Sequence, residues 1–343
     1  MQARPMGIRD VADGAGFSVT TVSHVLNEVP GKRIAESTRQ RIREVADQLG
    51  YRPNLLAQGL RSQRTHTIGF VSDYVATTPF AGQMILGAQD AAAEAGSLLL
   101  LLSSGGNTDL EDVEVRALID RQVDGIIYAS MFHRVLTPPS RLRGTKAVLL
   151  DARTESGEFS SVVPDEVGGA RAAVEELLSH GHRRIGFLTD SADVPATRAR
   201  LIGYRQALEV YGIAFDPALV QAGSGESRGG FESAHAVLSR SDRPTGLFCY
   251  NDRVAFGAYQ AAAELGLSVP ADVSIVGFDD QDILSASLRP GLTTMALPHY
   301  AMGQWAVKTL LDQIDTEGKA PALHQLLPCP LVRRASVSSP PRA

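Results

Sequence analysis

The apolar residues near the N-terminus recur at helical spacing in two short runs, which predicts two short helices within residues 8–27. The apolar positions are Ile8, Val11 and Ala12 in the first run and Val22, Val25 and Leu26 in the second. Gly16 lies between the runs and can adopt the positive φ that ends a helix, and Ser18 can cap the helix that follows. This is the layout of a helix-turn-helix, whose second helix enters the major groove of DNA.

Two further helices are predicted before the larger part of the chain begins. The apolar residues of positions 36–49 share one helix face, and Gly50 stops that helix. Pro53 suits the first turn of another helix, which Asn54 to Leu60 extend to about two turns. Isolated helices shorter than about 12 residues rarely persist in water, and Gly59 lowers the stability further. The second segment should therefore form only when a partner holds it.

From Thr67 onward, continuous apolar runs alternate with helical stretches. The runs TIGFVS, SLLLLLSS and VDGIIYAS lack the period-two alternation of a half-exposed strand, which indicates a parallel sheet covered on both faces. The pattern restarts near residue 165 and includes RRIGFLTD, TGLFCYNDR and VSIVGFDD. We therefore predict an all-α headpiece followed by an α/β core of two doubly wound parallel-sheet subdomains. Ligands in such folds bind outside the carboxyl ends of the strands.

Length and composition agree with a globular protein of two or three units, since 343 residues exceed the usual size of one domain. No apolar stretch approaches the ~20 residues that span a bilayer, and the N-terminal residues MQARPMGIRD lack the apolar region of a signal peptide. We expect a cytoplasmic protein with no membrane partner. Cys249 and Cys329 have no Cys or His neighbours at ligand spacing, so we expect neither a disulfide framework nor a metal site.

The net charge of −5 conceals an asymmetry along the chain. Residues 1–64 hold ten Lys and Arg against six Asp and Glu, whereas the remainder holds 23 against 32. A basic head on an acidic body is typical of a polyanion-binding module joined to a sensor.

The N-terminal region resembles the headpiece and hinge of the lac repressor (LacI/GalR) family. The segments that carry the resemblance are IRDVADGAGFSVTTVSHVLN and STRQRIREVADQLGYRPNLLAQGLRS. The resemblance implies that Val19, Thr20 and His24 face the bases and that Thr21 and Ser23 contact phosphates. Ser18 and Asn27 complete the interface of this helix. The family commonly has Arg where this chain has His24, so the operator sequence cannot be copied from relatives. An exposed His24 without a role is the alternative.

The same resemblance implies that paired hinge helices order on DNA and lie in its minor groove. Leu60 would wedge between base pairs there, so that added contact offsets the cost of unstacking. In the alternative interpretation, the hinge leucines only pack under the core. The hinge residues expected to contact DNA are Asn54, Ala57, Gln58 and Leu60.

The remaining chain resembles the core of that family, which shares the periplasmic binding protein fold, to about residue 334. We predict a headpiece at residues 1–51, a hinge helix and linker at 52–65, and a core at 66–334. The expected subdomains are 66–163 with 293–322, and 164–292 with 323–334. The Ser- and Pro-rich residues 335–343 are expected to be a disordered tail.

The expected effector site combines groups at strand ends. By resemblance, Arg200, Asn251 and Asp279 contact the ligand, Asp73 and Phe80 form the opposite wall, and Asp151 lies nearby. A guanidinium, an amide and a carboxylate pair well with sugar hydroxyls, which makes a carbohydrate the expected effector. The chain departs from the family pattern at residues 76–81, so the effector itself stays open. Asp252 or Asp280 can instead cap the following segment, and Phe80 can be a core residue.

The sequence disfavours two other classes of protein. An enzyme is disfavoured because adjacent Asp279 and Asp280 point to opposite faces of a strand, and because no phosphate-binding or nucleophile motif is present. A secreted solute-binding protein would carry a signal peptide and no basic headpiece. We therefore predict a non-enzymatic transcriptional regulator, without a cofactor, that binds a pseudo-palindromic DNA operator as a homodimer. We expect a repressor whose operator affinity a small-molecule effector controls, with the effector acting as an inducer that relieves repression. Corepression uses the same parts and stays open.

Overall fold

A computed structural model of the chain describes residues 6–27, 29, 31–51, 64–78, 81–316 and 321–341. The chain divides into two compact units, residues 1–65 and 66–343. In the described part of the chain, no helix has both the length and the apolar character needed to span a bilayer.

The described residues of the N-terminal unit form three helices, α1 (Ile8–Ala15), α2 (Val19–Leu26) and α3 (Glu36–Gln48). Gly16 has a φ of 77° and ends α1, and the Ser18 side chain accepts a hydrogen bond from Thr21 N at the start of α2. The apolar faces of all three helices meet in one small core. The residues of this core with no exposed surface are Val11, Val22, Val25 and Ile42. The predicted helix-turn-helix is therefore confirmed.

The second unit alternates strands and helices. Its elements as far as the first sheet's fifth strand are β1 (Thr67–Ser72), α4 (Gly82–Glu94), β2 (Leu98–Ser103), α5 (Thr108–Asp120), β3 (Gly125–Val135), β4 (Ala147–Arg153) and β5 (Ser160–Pro164). The next elements are α6 (Glu166–Ser179), β6 (Ile185–Asp190), α7 (Pro195–Val210), β7 (Val220–Gly223), α8 (Ser227–Leu238), β8 (Gly246–Cys249), α9 (Asp252–Glu264), β9 (Ser274–Asp279), the short α10 (Asp282–Ser285) and β10 (Thr293–Ala296). The last elements are α11 (His299–Asp315), β11 (His324–Leu327) and β12 (Leu331–Val332).

These strands form two six-stranded sheets, one for each subdomain, with the orders β11-β5-β4-β3-β1-β2 and β12-β10-β9-β8-β6-β7. All pairs are parallel except β10 with β12, which is antiparallel. Helices cover the inner strands. Helices α4 and α11 pack so closely at Gly87 that a side chain there would not fit, because a Cβ on Gly87 would lie 2.0 Å from the Tyr300 carbonyl oxygen. The predicted doubly wound architecture is confirmed.

The leucine-rich run that was predicted to be covered on both faces is instead a partly exposed edge strand. Leu98 and Leu101 of β2 are 66% and 38% exposed. A continuous apolar run favours a buried strand, but the run alone does not distinguish a central strand from an edge strand with exposed side chains.

The expected subdomain boundaries are wrong at two short strands. β10 was expected in the first subdomain but pairs with β9 of the second sheet. β11 was expected in the second subdomain but pairs with β5 of the first sheet. Each has four residues, and so short a run carries too little pattern to specify its partner. The chain therefore crosses between the subdomains three times: after β5, after β10 and after β11.

The expected disordered tail is wrong for residues 335–341, while residues 342–343 lie outside the described part. Ser336 has no exposed surface. Its Oγ donates to the Ile275 carbonyl oxygen at 2.5 Å and accepts from Thr293 N at 2.8 Å. His182 Nε2 lies 2.9 Å from the Ser338 carbonyl oxygen. Composition alone suggested disorder, but these hydrogen bonds join the tail to the second sheet.

We predict that Ser336→Ala lowers the free energy of unfolding by about 2 kcal/mol, because it leaves a buried N–H and a buried carbonyl without this partner. Urea denaturation followed by circular dichroism measures the change. Ser339→Ala, at an exposed position of the same tail, is the matched control and should change the free energy by less than about 0.5 kcal/mol. Equal effects of the two substitutions would contradict an ordered tail.

Candidate functional site

Helix α2 presents the predicted base-contacting residues on an accessible face. Val19 is 40% exposed, Thr20 is also exposed, and His24 is half-buried one turn later. Thr20 and His24 are four residues apart and therefore share a helix face. Val22 and Val25 point into the core of the unit. The start of α2 is thus accessible to a DNA groove, while the opposite face of the helix packs in the core of the unit.

The hydroxyl groups around this face are ordered by hydrogen bonds within the helix. Ser18 Oγ lies 2.9 Å from Thr21 Oγ1, and Asn27 Nδ2 donates to Ser23 Oγ at 3.0 Å. A hydroxyl that accepts one hydrogen bond retains its own proton, so Ser23 can still donate to a phosphate oxygen. The other predicted DNA contacts lie outside the described residues: Asn54, Ala57, Gln58 and Leu60.

A cavity of about 250 Å³ lies between the two subdomains of the second unit, at the carboxyl ends of strands from both sheets. This is where a doubly wound fold places its ligands. The side chains from the first subdomain are Met131, Phe132, His133 and Asp151. The remaining lining residues are Glu166, Asp190, Ala192, Val194, Ala196, Arg200, Glu226, Tyr250, Asn251, Arg253, Asp279 and Leu297.

Arg200 is the central charge of the second subdomain's wall, and it is only 3% exposed. Its Nε donates to Glu166 Oε2 at 2.6 Å, its Nη1 donates to the Tyr250 carbonyl oxygen, and its Nη2 lies 3.6 Å from Asp279 Oδ1. The guanidinium carbon lies 3.8 Å from the centre of the Phe278 ring. Burial lowers the pKa of Arg200, but the charges of Glu166 and Asp279 more than compensate and leave it raised. Arg200 is therefore permanently charged and held in place.

Asp279 ends β9 beside this guanidinium in an unusual backbone conformation, with a φ of 105°. Such a conformation favours glycine, and residues held in it cost about 1–3 kcal/mol, a strain that often marks a functional position. Burial raises the pKa of Asp279 to about 6, against the opposing effects of Arg200 and of a hydrogen bond from Gln281. At pH 7, above this pKa, the carboxylate form predominates, and Asp279 lines the cavity.

Asp151, from the first subdomain, is the predicted site residue with the clearest unfilled bonding capacity. It is 2% exposed, and its Oδ1 has no hydrogen-bond partner among the described residues. Its φ of 54° is again unusual for a residue with a side chain. Burial and then the charge of Glu166 raise its pKa, which favours the protonated form. Asp151 therefore has a buried carboxyl oxygen beside the cavity whose hydrogen-bonding capacity no described residue uses.

Asn251 also lines the cavity, but its amide is engaged within the protein. Its Oδ1 accepts from Val254 N at 2.8 Å and so caps α9, and its Nδ2 donates to the Gly225 carbonyl oxygen at 2.9 Å. The carbonyl oxygen of an amide has a second lone pair, so contact with a ligand requires no loss of the cap.

The two aspartates offered as structural alternatives, Asp252 and Asp280, are absent from the cavity lining and are engaged elsewhere. Asp252 accepts from Thr294 Oγ1 at 2.6 Å, which links α9 to β10. Asp280 accepts from Ser285 Oγ and from Arg334 Nη2, both at 2.8 Å. Both residues hold the strand ends together.

The structure corrects the expectation for Asp73. This residue is not among the residues that line the cavity. It is 3% exposed, and its carboxylate accepts from Arg134 Nη2 at 2.8 Å, from Tyr74 N at 2.6 Å and from Met131 N at 3.0 Å. Asp73 therefore positions the wall segment 131–134 rather than facing the ligand. Phe80, the other expected residue of that wall, lies outside the described part of the chain.

Sequence reasoning missed His133, because it ended the third core strand near Ser130. The strand continues to Val135 through a register break between Ala129 and Arg134. Burial, and then the charge of Arg153, lower the pKa of His133 to about 4. A polar residue soon after a buried strand was the available signal. In the described chain, no group of three or more His, Cys, Asp and Glu residues is arranged to hold a metal ion.

Comparisons with known proteins agree with both units. A model described as bacterial regulatory proteins, lacI family, matches residues 7–54, and one described as a periplasmic binding protein-like domain matches residues 174–337. The transcriptional regulator RegA of Clostridium saccharobutylicum is 32% identical over 311 residues, which cover 90% of this chain and 92% of RegA. The transcriptional repressor PurR of Yersinia enterocolitica is 31% identical over 338 residues, which cover 97% of each chain.

Solved structures give the same result. A lac repressor dimer bound to operator and the anti-inducer ONPF is 27% identical with a TM-score of 0.78, and the alignment covers 98% of this chain and all of that one. A complex of the regulator CelR with cellobiose is 28% identical with a TM-score of 0.67, over 97% of this chain and all of that one. With a helix-turn-helix in its N-terminal unit and a cavity between the two subdomains of its second unit, this chain belongs to the lacI family of bacterial regulatory proteins and is a DNA-binding transcriptional regulator.

Proposed function

We propose that the protein is a repressor that binds its operator through α2 and the hinge, and that a carbohydrate in the cavity between the subdomains releases it. The observation that carries this proposal is the cavity, which both subdomains line. One of its lining residues, Asp151, has a buried carboxyl oxygen with no hydrogen-bond partner among the described residues. A ligand that contacts both walls favours one relative arrangement of the subdomains. It changes operator affinity only by its differential affinity for the free and the DNA-bound conformations.

Three kinds of polar group line the cavity and support the proposal that its ligand is a carbohydrate. Arg200 supplies a guanidinium, Asp279 an ionised carboxylate, and Asp151 a group that both donates and accepts. Sugar hydroxyls both donate and accept, so they can pair with all three. The similar structures include the CelR complex with cellobiose and an Enterococcus faecium regulator of this family with bound ribose.

For the DNA interface, we assign base contacts to Val19, Thr20 and His24, and phosphate contacts to the surrounding hydroxyls. The exposure of the start of α2 supports this assignment. The hinge contacts and the wedging role of Leu60 remain part of the proposal.

We further propose that the protein acts as a homodimer on a pseudo-palindromic operator, in the cytoplasm and without catalysis. Partly exposed apolar residues on the edge strand β2 and on α4 support self-association: Leu98, Leu101 and Leu86 are 66%, 38% and 44% exposed. The similar lac repressor structure is a dimer bound to operator.

Selection of genomic fragments with the purified protein tests the regulator as a whole. We expect recovery of a palindromic site, and titration of that fragment with a panel of sugars should release it with one of them. Tighter retention on sugar addition would instead indicate a corepressor, and no sequence-specific enrichment would contradict the proposal.

We predict that His24→Ala weakens binding to the recovered operator roughly fivefold, since one directed hydrogen bond to a base edge contributes on the order of 1 kcal/mol. Non-specific DNA binding should stay unchanged, as fluorescence anisotropy with a scrambled fragment can measure. Gln48→Ala, at an exposed position on α3, is the control. A parallel loss on both fragments would argue against base contact.

Leu60→Ala is predicted to weaken operator binding far more than non-specific binding, because only the specific complex offsets the cost of unstacking the base step. The same anisotropy assay distinguishes the two affinities. Equal losses would rule out the wedge.

Asp279→Asn is predicted to raise the sugar concentration needed for operator release by roughly tenfold or more, because it removes the ionised partner of a charge-assisted hydrogen bond. Operator affinity without sugar should be unchanged. Asp312→Asn, the same substitution at an exposed position on α11, is the matched control. An unaltered sugar response in Asp279→Asn would remove Asp279 from the effector site.

A further inference from the structure

The loop between α2 and α3, residues 27–35, presents two adjacent cations. Lys32 and Arg33 are exposed, and among the described residues neither forms an ion pair with an acidic side chain. Most lysine and arginine side chains are exposed, so exposure alone assigns no role to them. In this loop, however, the backbone that carries the two cations is held by the rest of the N-terminal unit.

The described residues of the loop are anchored at both ends. Val29 N donates to the His24 carbonyl oxygen at 3.1 Å, which fastens the start of the loop to the last turn of α2. Gly31 has a φ of 77°, a conformation that glycine adopts readily. Ile34 packs against the small core of the three helices. The cations therefore lie on a segment that is fixed on either side of them.

Arg39, near the start of α3, holds that segment directly. Its Nε donates to the Ile34 carbonyl oxygen at 3.4 Å, and its Nη2 donates to the Lys32 carbonyl oxygen at 3.2 Å. The Lys32 carbonyl oxygen also accepts from Ile34 N at 3.0 Å. Because a guanidinium presents its donors in a fixed fork, one side chain holds the carbonyl groups on both sides of Arg33. Less ordering is then required when a partner binds the loop.

The loop leaves the end of α2 that is opposite to the predicted base contacts. Helix α2 has eight residues and is therefore about 12 Å long, similar to the width of the major groove, which is about 12 Å. Phosphate backbones border this groove on both sides. When the first residues of α2 contact base edges, the chain that leaves its other end passes a backbone, and two cations on that chain suit phosphate oxygens.

We propose that the loop between α2 and α3 is a phosphate-binding surface for duplex DNA. Lys32 and Arg33 each contact a phosphate, and Arg39 is a positioning residue that holds their backbone without touching the DNA. The inference rests on the proposed entry of α2 into the major groove. It adds a source of affinity that is independent of base sequence and separate from the base contacts assigned to α2.

The salt dependence of DNA binding by the full chain tests this surface. Fluorescence anisotropy gives the affinity for the recovered operator and for a scrambled duplex at several salt concentrations. Each phosphate contact contributes about 0.9 to the slope of log affinity against log salt concentration. The Lys32→Gln/Arg33→Gln variant should therefore lower the slope by about two, and it should weaken binding to both duplexes equally, by roughly tenfold near physiological salt.

The matched control is Arg171→Gln/Arg228→Gln, which removes two exposed cations from the second unit and should leave the slope unchanged. An unaltered slope and affinity in the Lys32→Gln/Arg33→Gln variant would overturn the inference. A greater loss on the operator than on the scrambled duplex would also overturn it, because phosphate contacts carry no sequence information. If the wild-type protein does not prefer the operator, the proposed function fails, while the slope on the scrambled duplex still tests the loop.

A double-mutant cycle tests the role of Arg39. Arg39→Met removes both hydrogen bonds to the loop and should weaken binding to both duplexes roughly threefold. It should have no further effect when Lys32→Gln and Arg33→Gln are already present, since a positioning residue acts only through the groups that it positions. Arg39→Lys, which retains a donor, should recover part of the affinity.

An equal loss from Arg39→Met in both backgrounds would overturn the positioning role, because Arg39 would then contact DNA itself or support the fold as a whole. Thermal unfolding followed by circular dichroism shows whether each variant is folded. If Arg39→Met is unfolded, Arg39→Lys in the same two backgrounds decides between the two results.

Discussion

The effector wall of the second subdomain depends on the buried charge of Arg200. A guanidinium that is 3% exposed requires partners, because burial without them is strongly unfavourable. Glu166 at the start of α6, the Tyr250 carbonyl after β8 and Asp279 at the end of β9 supply them. One side chain on α7 therefore fixes three other chain segments around the cavity. A ligand that contacts this wall meets groups that are already oriented, so less ordering is required upon binding.

In the first subdomain, a buried aspartate paired with an arginine also holds a segment of the cavity wall. Asp73 accepts from Arg134 and Met131 and thereby holds the segment that contains His133. On the Arg200 side the charged groups satisfy one another, whereas on this side His133 and Asp151 have buried polar atoms without a hydrogen-bond partner in the part of the chain that the structure describes. The cavity therefore combines a self-contained charged wall with a wall that has capacity for a ligand.

The three crossings between the subdomains relate this cavity to regulation. After β10 the chain leaves the second sheet, adds β11 to the first sheet, and then returns to add β12 to the second. The crossings are the connections between the two subdomains. A ligand that contacts both walls of the cavity favours one relative arrangement of these subdomains. We propose that this bias is what couples sugar binding to operator affinity.

Local chemistry in the sequence was enough to determine the helix-turn-helix, since Gly16, Ser18 and the buried valines act within a few residues of one another. The same was true of the alternating strands and helices. The placement of Arg200 and Asp279 at one site followed from the family resemblance and not from local chemistry. Tertiary structure alone decided which sheet the four-residue strands β10 and β11 join, because so short a run suits either edge. It also decided that the tail is ordered, that Asp73 supports the wall rather than lining the cavity, and that His133 is buried beside the cavity. In each of these cases the deciding partner is distant in the chain, and no local pattern encodes which distant group a side chain will meet.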